Sequence, residues 1–492
     1  MFAWRMVTRM LGLVSTLVLV RLLAPSDFGL ISLAFSFTAA LDACSALGTE
    51  AQIIRSREAG RELYDTAFTI NLIRAAALGL VVAAAAGPVA SWFGEPRLEH
   101  VLLLIALLTA LKGLTNIRLV VFQRNLQFDR EFLVLAAPRI LQVLATIGFA
   151  LWLRSYWAMI AGMFVGQGMG LVFGYALLPY LPRLTFSAWR ELLGVSFWTW
   201  LQNLAQVARD RVDMFVIGRS FGVEQAGLYA IAAEIAALPI TELVSPMANA
   251  CMPGFAASLR EHEGSTTARA FERVVALAFL LALPIGFGIS LVAGPVVALA
   301  LGQRWLSAAP LIAIMAIACI PIAPGLVAGA LMVARARLRA LFLITAGSAL
   351  LRGLVVIGWA RFHGLSAVAA AVGLVLLLEN LVLLAKACRL CALAPMAMLG
   401  RIWRPLLGCG AMIAALWGAG LAWGPVPVLA LAAMRLLVEA ALVGATAFVA
   451  TVLGLWLACG RPDGPESDLL LLVRRTLGDV LARVRPRPPA PQ

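Results

Sequence analysis

The ten residues RLLAPSDFGL, residues 21–30, return in outline as RSFGVEQAGL, residues 219–228. Each copy opens on arginine and closes on Gly-Leu, and the two lie 198 positions apart. Two further echoes follow: AGPVASWFGEPRL from Ala86 with AGPVVALALGQRWL from Ala293, and WLR at Trp152 with WAR at Trp359. The offset drifts only from 198 to 207. One long unit is therefore written twice, and such a repeat constrains the architecture before any single segment does.

Composition says what the unit is made of. The chain has 492 residues, 62% of them hydrophobic and 13% charged, with a mean hydropathy of +0.95; soluble domains carry about 25% charge. This excludes an ordinary soluble protein and indicates an integral membrane one. Apolar runs lie near 4–23, 28–49, 66–93, 98–122, 131–153, 156–178, 191–218, 226–256, 272–301, 306–333, 339–360, 364–391, 403–423 and 428–459. Each approaches the ~20 residues that cross a ~30 Å hydrocarbon core. The expectation is an all-α integral membrane protein of about fourteen transmembrane helices. Spans 1–6 and 7–12 form two six-helix repeats, parallel because six is even, and two C-terminal spans follow. The expected divisions are an N-terminal bundle (1–182), a C-terminal bundle (183–392), spans 13 and 14 (393–460) and a cytoplasmic amphipathic, Pro- and Arg-rich tail (461–492).

The net charge of +14 is distributed unevenly. If loops alternate sides, one set holds nineteen Lys and Arg and the other six. By the positive-inside rule the rich set, with both termini, is cytoplasmic. The excess charge thus reports membrane orientation rather than nucleic-acid binding. In the tail, Leu469, Leu472, Val473, Leu477, Val480 and Val484 recur at helical spacing among Arg474, Arg475 and Arg483, the pattern of a helix lying on an anionic leaflet. No small-residue cleavage site follows the first apolar run, which reads as a span rather than a removed signal.

Catalytic and metal-binding motifs are weak. The seven cysteines sit mostly in apolar runs, and the C-x-x-C of Cys388 and Cys391 has neither a second pair nor a nearby histidine. No metal or other cofactor is expected. GQGMG, residues 166–170, is not followed by Lys-Ser/Thr, so it reads as small residues that let helices approach, not a nucleotide loop. Outer loops are too short for the acceptor site of a glycan polymerase or ligase, so the chain is not expected to be an enzyme.

Beyond the repeat, RLLAPSDFGL after span 1, VDMFVIGRSFGVEQAGLYA across spans 7 and 8, LGQRWLSAAPL before span 10 and LMVARARLRALF after it form an ordered set. This pattern resembles the polysaccharide transporter family, the Wzx-type oligosaccharide flippases of the multidrug/oligosaccharidyl-lipid/polysaccharide (MATE-like) superfamily, over about residues 10 to 455. The resemblance implies movement of undecaprenyl-diphosphate-linked repeat units across the bacterial inner membrane by alternating access, for O-antigen, capsule or exopolysaccharide. It implies lipid-linked oligosaccharide and membrane lipids as partners, a polysaccharide polymerase and chain-length machinery nearby, and no nucleic acid. The rival reading is a MATE-like cation-coupled small-molecule antiporter. That branch shares the twelve-helix repeat but typically lacks spans 13 and 14 and such abundant buried arginine.

Such a cargo calls for cations inside the membrane. Arg74, Arg139, Arg209 and Arg352 lie well within spans 3, 5, 7 and 11. Arg139 is roughly 12 Å from the cytoplasmic end of its span and Arg209 roughly 15 Å from the outer end. Cations at that depth face a bundle interior or water, and a guanidinium fork suits phosphate. Arg139, Gln142 and Thr146 share one helical stripe, as do Thr345, Ser348 and Arg352; Thr38, Asp42, Ser45 and Thr49; and Glu234, Thr241, Ser245 and Asn249. The same spacing also serves helix packing. In QNLAQVARDRVDMFVIGR, residues 202–219, Gln202, Gln206, Arg209 and Asp213 fall in one arc, and Arg209 with Asp213, one turn on, forms an expected ion pair. Candidate cargo-binding residues are therefore Arg74, Arg139, Arg209, Arg352, Gln142 and Gln206. Candidates for ion coupling or gating are Asp42, Asp213, Glu234, Glu242 and Glu379.

Overall fold

The computed structural model describes residues 2–45, 49–56, 60–125, 127–192, 197–260, 264–424, 430–462, 464–467 and 469. Among these there are helices and no strands, as hydrocarbon requires of a chain whose backbone must satisfy its own hydrogen bonds. In order they are α1 (Phe2–Leu22), α2 (Pro25–Ser45), α3 (Thr49–Arg55), α4 (Arg61–Phe93), α5 (Arg97–Lys112), α6 (Val120–Arg124), α7 (Phe128–Leu153), α8 (Trp157–Leu177) and α9 (Trp189–Leu192). There follow α10 (Phe197–Arg260), α11 (Gly264–Leu291), α12 (Ala293–Ala300), α13 (Ala309–Ala318), α14 (Ile322–Ala334), α15 (Leu338–Ala360), α16 (Leu365–Leu390), α17 (Pro395–Gly418) and α18 (Ala430–Ala458). The amphipathic helix expected from Leu469 to Val484 lies almost wholly outside the described residues.

Nine described helices are long and apolar enough to cross a membrane, or up to eleven if each of two bent pairs, Arg97–Lys112 with Ile117–Arg124 and Gln303–Ala318 with Ile322–Ala334, is one span. The expected fourteen are not reached by this measure, for identifiable reasons. α17 carries Arg401 and Arg404 within its apolar run, and the counted part of α1, Met10–Leu22, is short. α10 is counted once although it holds two arms. Its backbone breaks at Gly222 (φ 84°, ψ 175°), a left-handed conformation that costs glycine little. Asp213 and Tyr229, sixteen residues apart, would stand about 24 Å apart along an unbroken helix, yet the Tyr229 hydroxyl donates to the Asp213 carboxylate. The chain therefore doubles back at Gly222.

Spatial packing resolves two units. The first comprises Met1–Ile231, Ala300–Ala308 and Thr345–Val368; the second Ala232–Leu299, Ala309–Ile344 and Ala369–Gln492. In the first, α4 packs on α5, α7 on α8, and α1 on α7. The short segment around Trp305 is anchored here too: its fully buried indole donates to the Val20 carbonyl at 2.8 Å and meets Phe28 edge-on.

The two copies of the ten-residue repeat meet inside this unit as counterparts. A Cβ added to Gly29 would lie 1.8 Å from the Val223 carbonyl oxygen, and one added to Gly227 would lie 1.9 Å from the Pro25 carbonyl oxygen. Gly29 and Gly227 are each the ninth residue of their copy, Pro25 and Val223 each the fifth. The contact thus has local two-fold symmetry, and it exists only because neither glycine has a side chain.

In the second unit, α11 packs on α13, α14, α17 and α18, and α17 packs on α18. Arg401 reaches Glu272 at 2.9 Å, and Arg404 and Glu466 are buried together at 3.4 Å. Cys319, Cys388, Cys391 and Cys409 are buried. Arg435 and Glu439, one turn apart on α18, pair at 2.7 Å.

Candidate functional site

Three groups of polar side chains lie within apolar helices of the first unit. The most enclosed joins both arms of α10 to α15. Thr345 and Arg352 stand two turns apart on one face of α15, and they meet Gln202 and Asp213, which share an arc on α10. Gln202 Nε2 donates to Thr345 Oγ1 at 3.2 Å. Arg352 donates to Asp213 Oδ2 at 2.6 Å and to the Arg209 carbonyl at 3.2 Å. Asp213 Oδ1 accepts from the Met214 backbone N–H at 3.0 Å, and Oδ2 also accepts from Tyr229. The side chains of Arg352 and Asp213 are only 8% and 4% exposed. Arg352 Nε, also buried, has no hydrogen-bond partner.

This arrangement redistributes the expected contacts of the α10 charges. Arg209, the expected partner of Asp213, directs Nε and NH2 to Asp210 at 2.9 and 2.8 Å. Asp213 instead receives a cation from a helix far along the chain. Tyr229 was not singled out in the sequence, because only the reversal at Gly222 brings position 229 back to 213.

The second group is open. Arg74 on α4 donates to Asp42 on α2 at 2.7 Å and to Ser45 at 3.1 Å, and its side chain is 27% exposed against 59% for Asp42. One turn of α4 away, Asn71 accepts from Thr49 at 3.1 Å. Asp42 and Ser45 of α2 thus meet Arg74, whereas Thr49, expected on the same helix, is the first residue of α3 and reaches Asn71 from there.

The third group is on α7. Arg139, exposed, donates to Gln142 at 3.0 Å, and NH2 lies 3.6 Å from where a Cβ on Gly12 of α1 would be. Gln142 and Thr146 press against Gly166 and Gly162 of α8, where added Cβ atoms would fall 2.8 Å from Gln142 Cβ and 1.8 Å from Thr146 Oγ1. Within GQGMG, Gly166 therefore serves helix approach, while Gly168 and Gly170 face open space. Part of three of the polar stripes is spent on their own helices, since the hydroxyls of Thr38, Thr146 and Thr241 bond carbonyls one turn back.

Of the remaining candidates, Gln206 is exposed on α10. Glu234, Glu242 and Glu379 belong to the second unit: Glu234 is exposed, Glu242 half-buried and Glu379 buried on α16. Beside Glu379, Asn380 donates to the Leu376 carbonyl at 2.8 Å, and its side chain fills the space over Gly325.

A family model described as polysaccharide biosynthesis protein matches residues 18–310, more than half of the chain. The chain belongs to this family. Among proteins of similar sequence, the succinoglycan biosynthesis transport protein ExoT of Rhizobium meliloti (strain 1021) is 26% identical over 62% of this chain and 62% of its own length. The lipopolysaccharide biosynthesis protein WzxC of Escherichia coli (strain K12) is 24% identical over 66% of this chain and 67% of its own. The match thus spans about 62% of the length of the first of these relatives. In fold, this polysaccharide biosynthesis family member is similar to the lipid II flippase MurJ in an inward closed conformation, at TM-score 0.72 and 12% identity over 92% of this chain and 99% of that one. It is an all-helical, multi-pass membrane protein with a MurJ- and MATE-like transporter fold.

Proposed function

We propose that this protein is a flippase for undecaprenyl-diphosphate-linked oligosaccharide repeat units, carrying them from the inner to the outer leaflet of the bacterial inner membrane for surface polysaccharide assembly. Both termini are cytoplasmic in this reading. The repeats 1–182 and 183–392 alternate access, with α17 and α18 outside them. Support comes from the names of the relatives, transport in succinoglycan synthesis and lipopolysaccharide biosynthesis, and from the chemistry of the first unit.

The observation that carries the proposal is the openness of Arg74 and Arg139. Both stand inside candidate spans, and neither is sealed. An accessible arginine at membrane depth faces water rather than lipid, because the alternative costs several kcal/mol. Its planar fork is suited to a diphosphate. In this scheme Arg74 exchanges the exposed carboxylate of Asp42 for cargo, whereas Arg352 holds α10 and α15 together around Asp213.

Glycan export in a strain lacking the chromosomal copy tests this. Arg74→Ala with Arg139→Ala is expected to abolish surface glycan and to accumulate lipid-linked repeat units on the cytoplasmic side, at normal protein abundance. Full export by the double variant would overturn the proposal.

A further inference from the structure

The segment between α8 and α10 presents apolar side chains outward from a backbone that is clamped in place. Four residues in the first turns of α4 grip it. Arg61 NH2 donates to the Leu181 carbonyl at 3.3 Å, Asp65 accepts from Arg183 N–H at 3.2 Å, Thr69 from Thr185 N–H at 3.1 Å and Thr66 from Ala188 N–H at 3.3 Å. Tyr180 donates to Asp65 as well, and Arg118 stacks on the rings of Tyr64 and Tyr180 at 6.0 and 5.6 Å. Burial first, then the bond to Asp65, raises the Tyr180 phenol above its ordinary pKa, so it remains a donor across the physiological range. Tyr180 and Leu192 anchor the two ends in a core with Ile53, Leu63 and Phe68.

Between those anchors large apolar side chains are exposed. Leu181, Leu184, Phe186 and Trp189 are 84%, 71%, 55% and 44% exposed. Exposed arginines alternate with them: Arg183 follows Leu181, and Arg190 lies over the Trp189 ring at 5.5 Å. The clamp rules out looseness as the cause of this exposure. Water is a poor occupant, since each apolar Å² left in it forgoes about 25 cal/mol.

The occupant is indicated by position and charge. The strap begins four residues after Leu177, the last residue of α8, and is held by the first turns of α4, both candidate spans, so it sits at a membrane boundary. Apolar side chains interleaved with arginine, with aromatic rings at the same level, suit the zone where acyl chains give way to phosphates. We infer that residues 181–190 are a membrane-interface strap that binds anionic phospholipid, with Leu181, Leu184, Phe186 and Trp189 in the upper acyl region and Arg183 and Arg190 on headgroup phosphate. This rests on the membrane topology and not on the cargo.

The test uses full-length protein in vesicles without cargo. A nitrobenzoxadiazole label is placed at Phe186→Cys, with exposed Cys44 and Cys459 changed to Ser, and quenched by phosphatidylglycerol or phosphatidylcholine carrying a headgroup nitroxide. Quenching by phosphatidylglycerol is expected at a mole fraction about 25-fold lower than by phosphatidylcholine, each of the two arginines contributing about fivefold. Arg183→Gln with Arg190→Gln should leave equal quenching by both lipids and an unchanged melting temperature. No quenching by either lipid would overturn the inference. Energy transfer between labelled copies without lipid quenching would also overturn it and assign the strap to a second copy. Equal quenching in the unmodified sequence would overturn the anionic component. Full glycan export by the Arg74→Ala, Arg139→Ala variant, which would overturn the proposed function, would leave all these outcomes unmoved.

Discussion

Two arginine–aspartate pairs lie within apolar helices of the same unit, and they differ in nearly every physical respect. Arg352 and Asp213 are 8% and 4% exposed, and the carboxylate is also bonded by Tyr229 and a backbone N–H. Arg74 and Asp42 are 27% and 59% exposed, with Ser45 as the further partner of the arginine. A sealed pair whose lone pairs are spent is a tie between helices. An open pair whose carboxylate is half solvated can part when a stronger anion arrives. Depth in the sequence of an apolar helix does not separate these roles; enclosure does.

The largest effect is expected where the tie is cut. Arg352→Ala should strand Asp213 without its cation and cost about 3–5 kcal/mol, read as a fall in melting temperature in detergent. Arg352→Met combined with Asp213→Leu should recover most of that loss. A melting curve for Arg352→Ala that matches the parent would erase the contrast between the pairs. Tyr229→Phe removes one donor from the same carboxylate and is expected to cost about 1–3 kcal/mol by the same measurement; no change would show that the reversal at Gly222 stands without this bond.

At the open pair stability and function should come apart. Arg74→Ala is expected to shift unfolding by no more than about 1 kcal/mol while removing surface glycan, and Arg74→Lys to restore export only in part, because an ammonium lacks the two-pronged geometry. A large loss of stability would reclassify Arg74 as a second tie. The smallest effect belongs to Asp42→Asn, expected to change stability by about 0.5 kcal/mol or less and to speed modification of Arg74 by phenylglyoxal. Unchanged reactivity would mean that Asp42 does not compete for the guanidinium.

Much of the fold was legible because membranes impose few solutions. The apolar runs became helices, the Gly-containing segment after Arg219 became a reversal, and Gln142 and Thr146 of α7 fell together against α8. The spans were harder to count, since α10 reads as one continuous helix by backbone hydrogen bonding and shows its reversal only at a single glycine. The polar side chains inside the helices were legible in residue type but not in pairing. Arg209 and Asp213, adjacent on a helix, suggested each other, yet Arg352 lies 139 positions from Asp213, and local spacing carries no record of such a contact. The strap at 181–190 was missed for a related reason: its leucines and aromatics lack a helical or strand period, and their exposure depends on a clamp built from α4.

The glycine crossing bears on how this sequence can change over time. Each copy of the repeat offers its ninth residue to the fifth residue of the other, the reciprocal pattern that a two-fold axis gives to a pair of identical subunits. Here the same reciprocity is held within one polypeptide, and the two copies share glycine at the ninth position while most of their neighbours differ, Pro25 and Val223 among them, because those two contribute only backbone carbonyls to the crossing. Gly29 and Gly227 are already the smallest residues available. A larger residue at one cannot be offset by a smaller one at the other, and this point in the sequence has no compensating substitution.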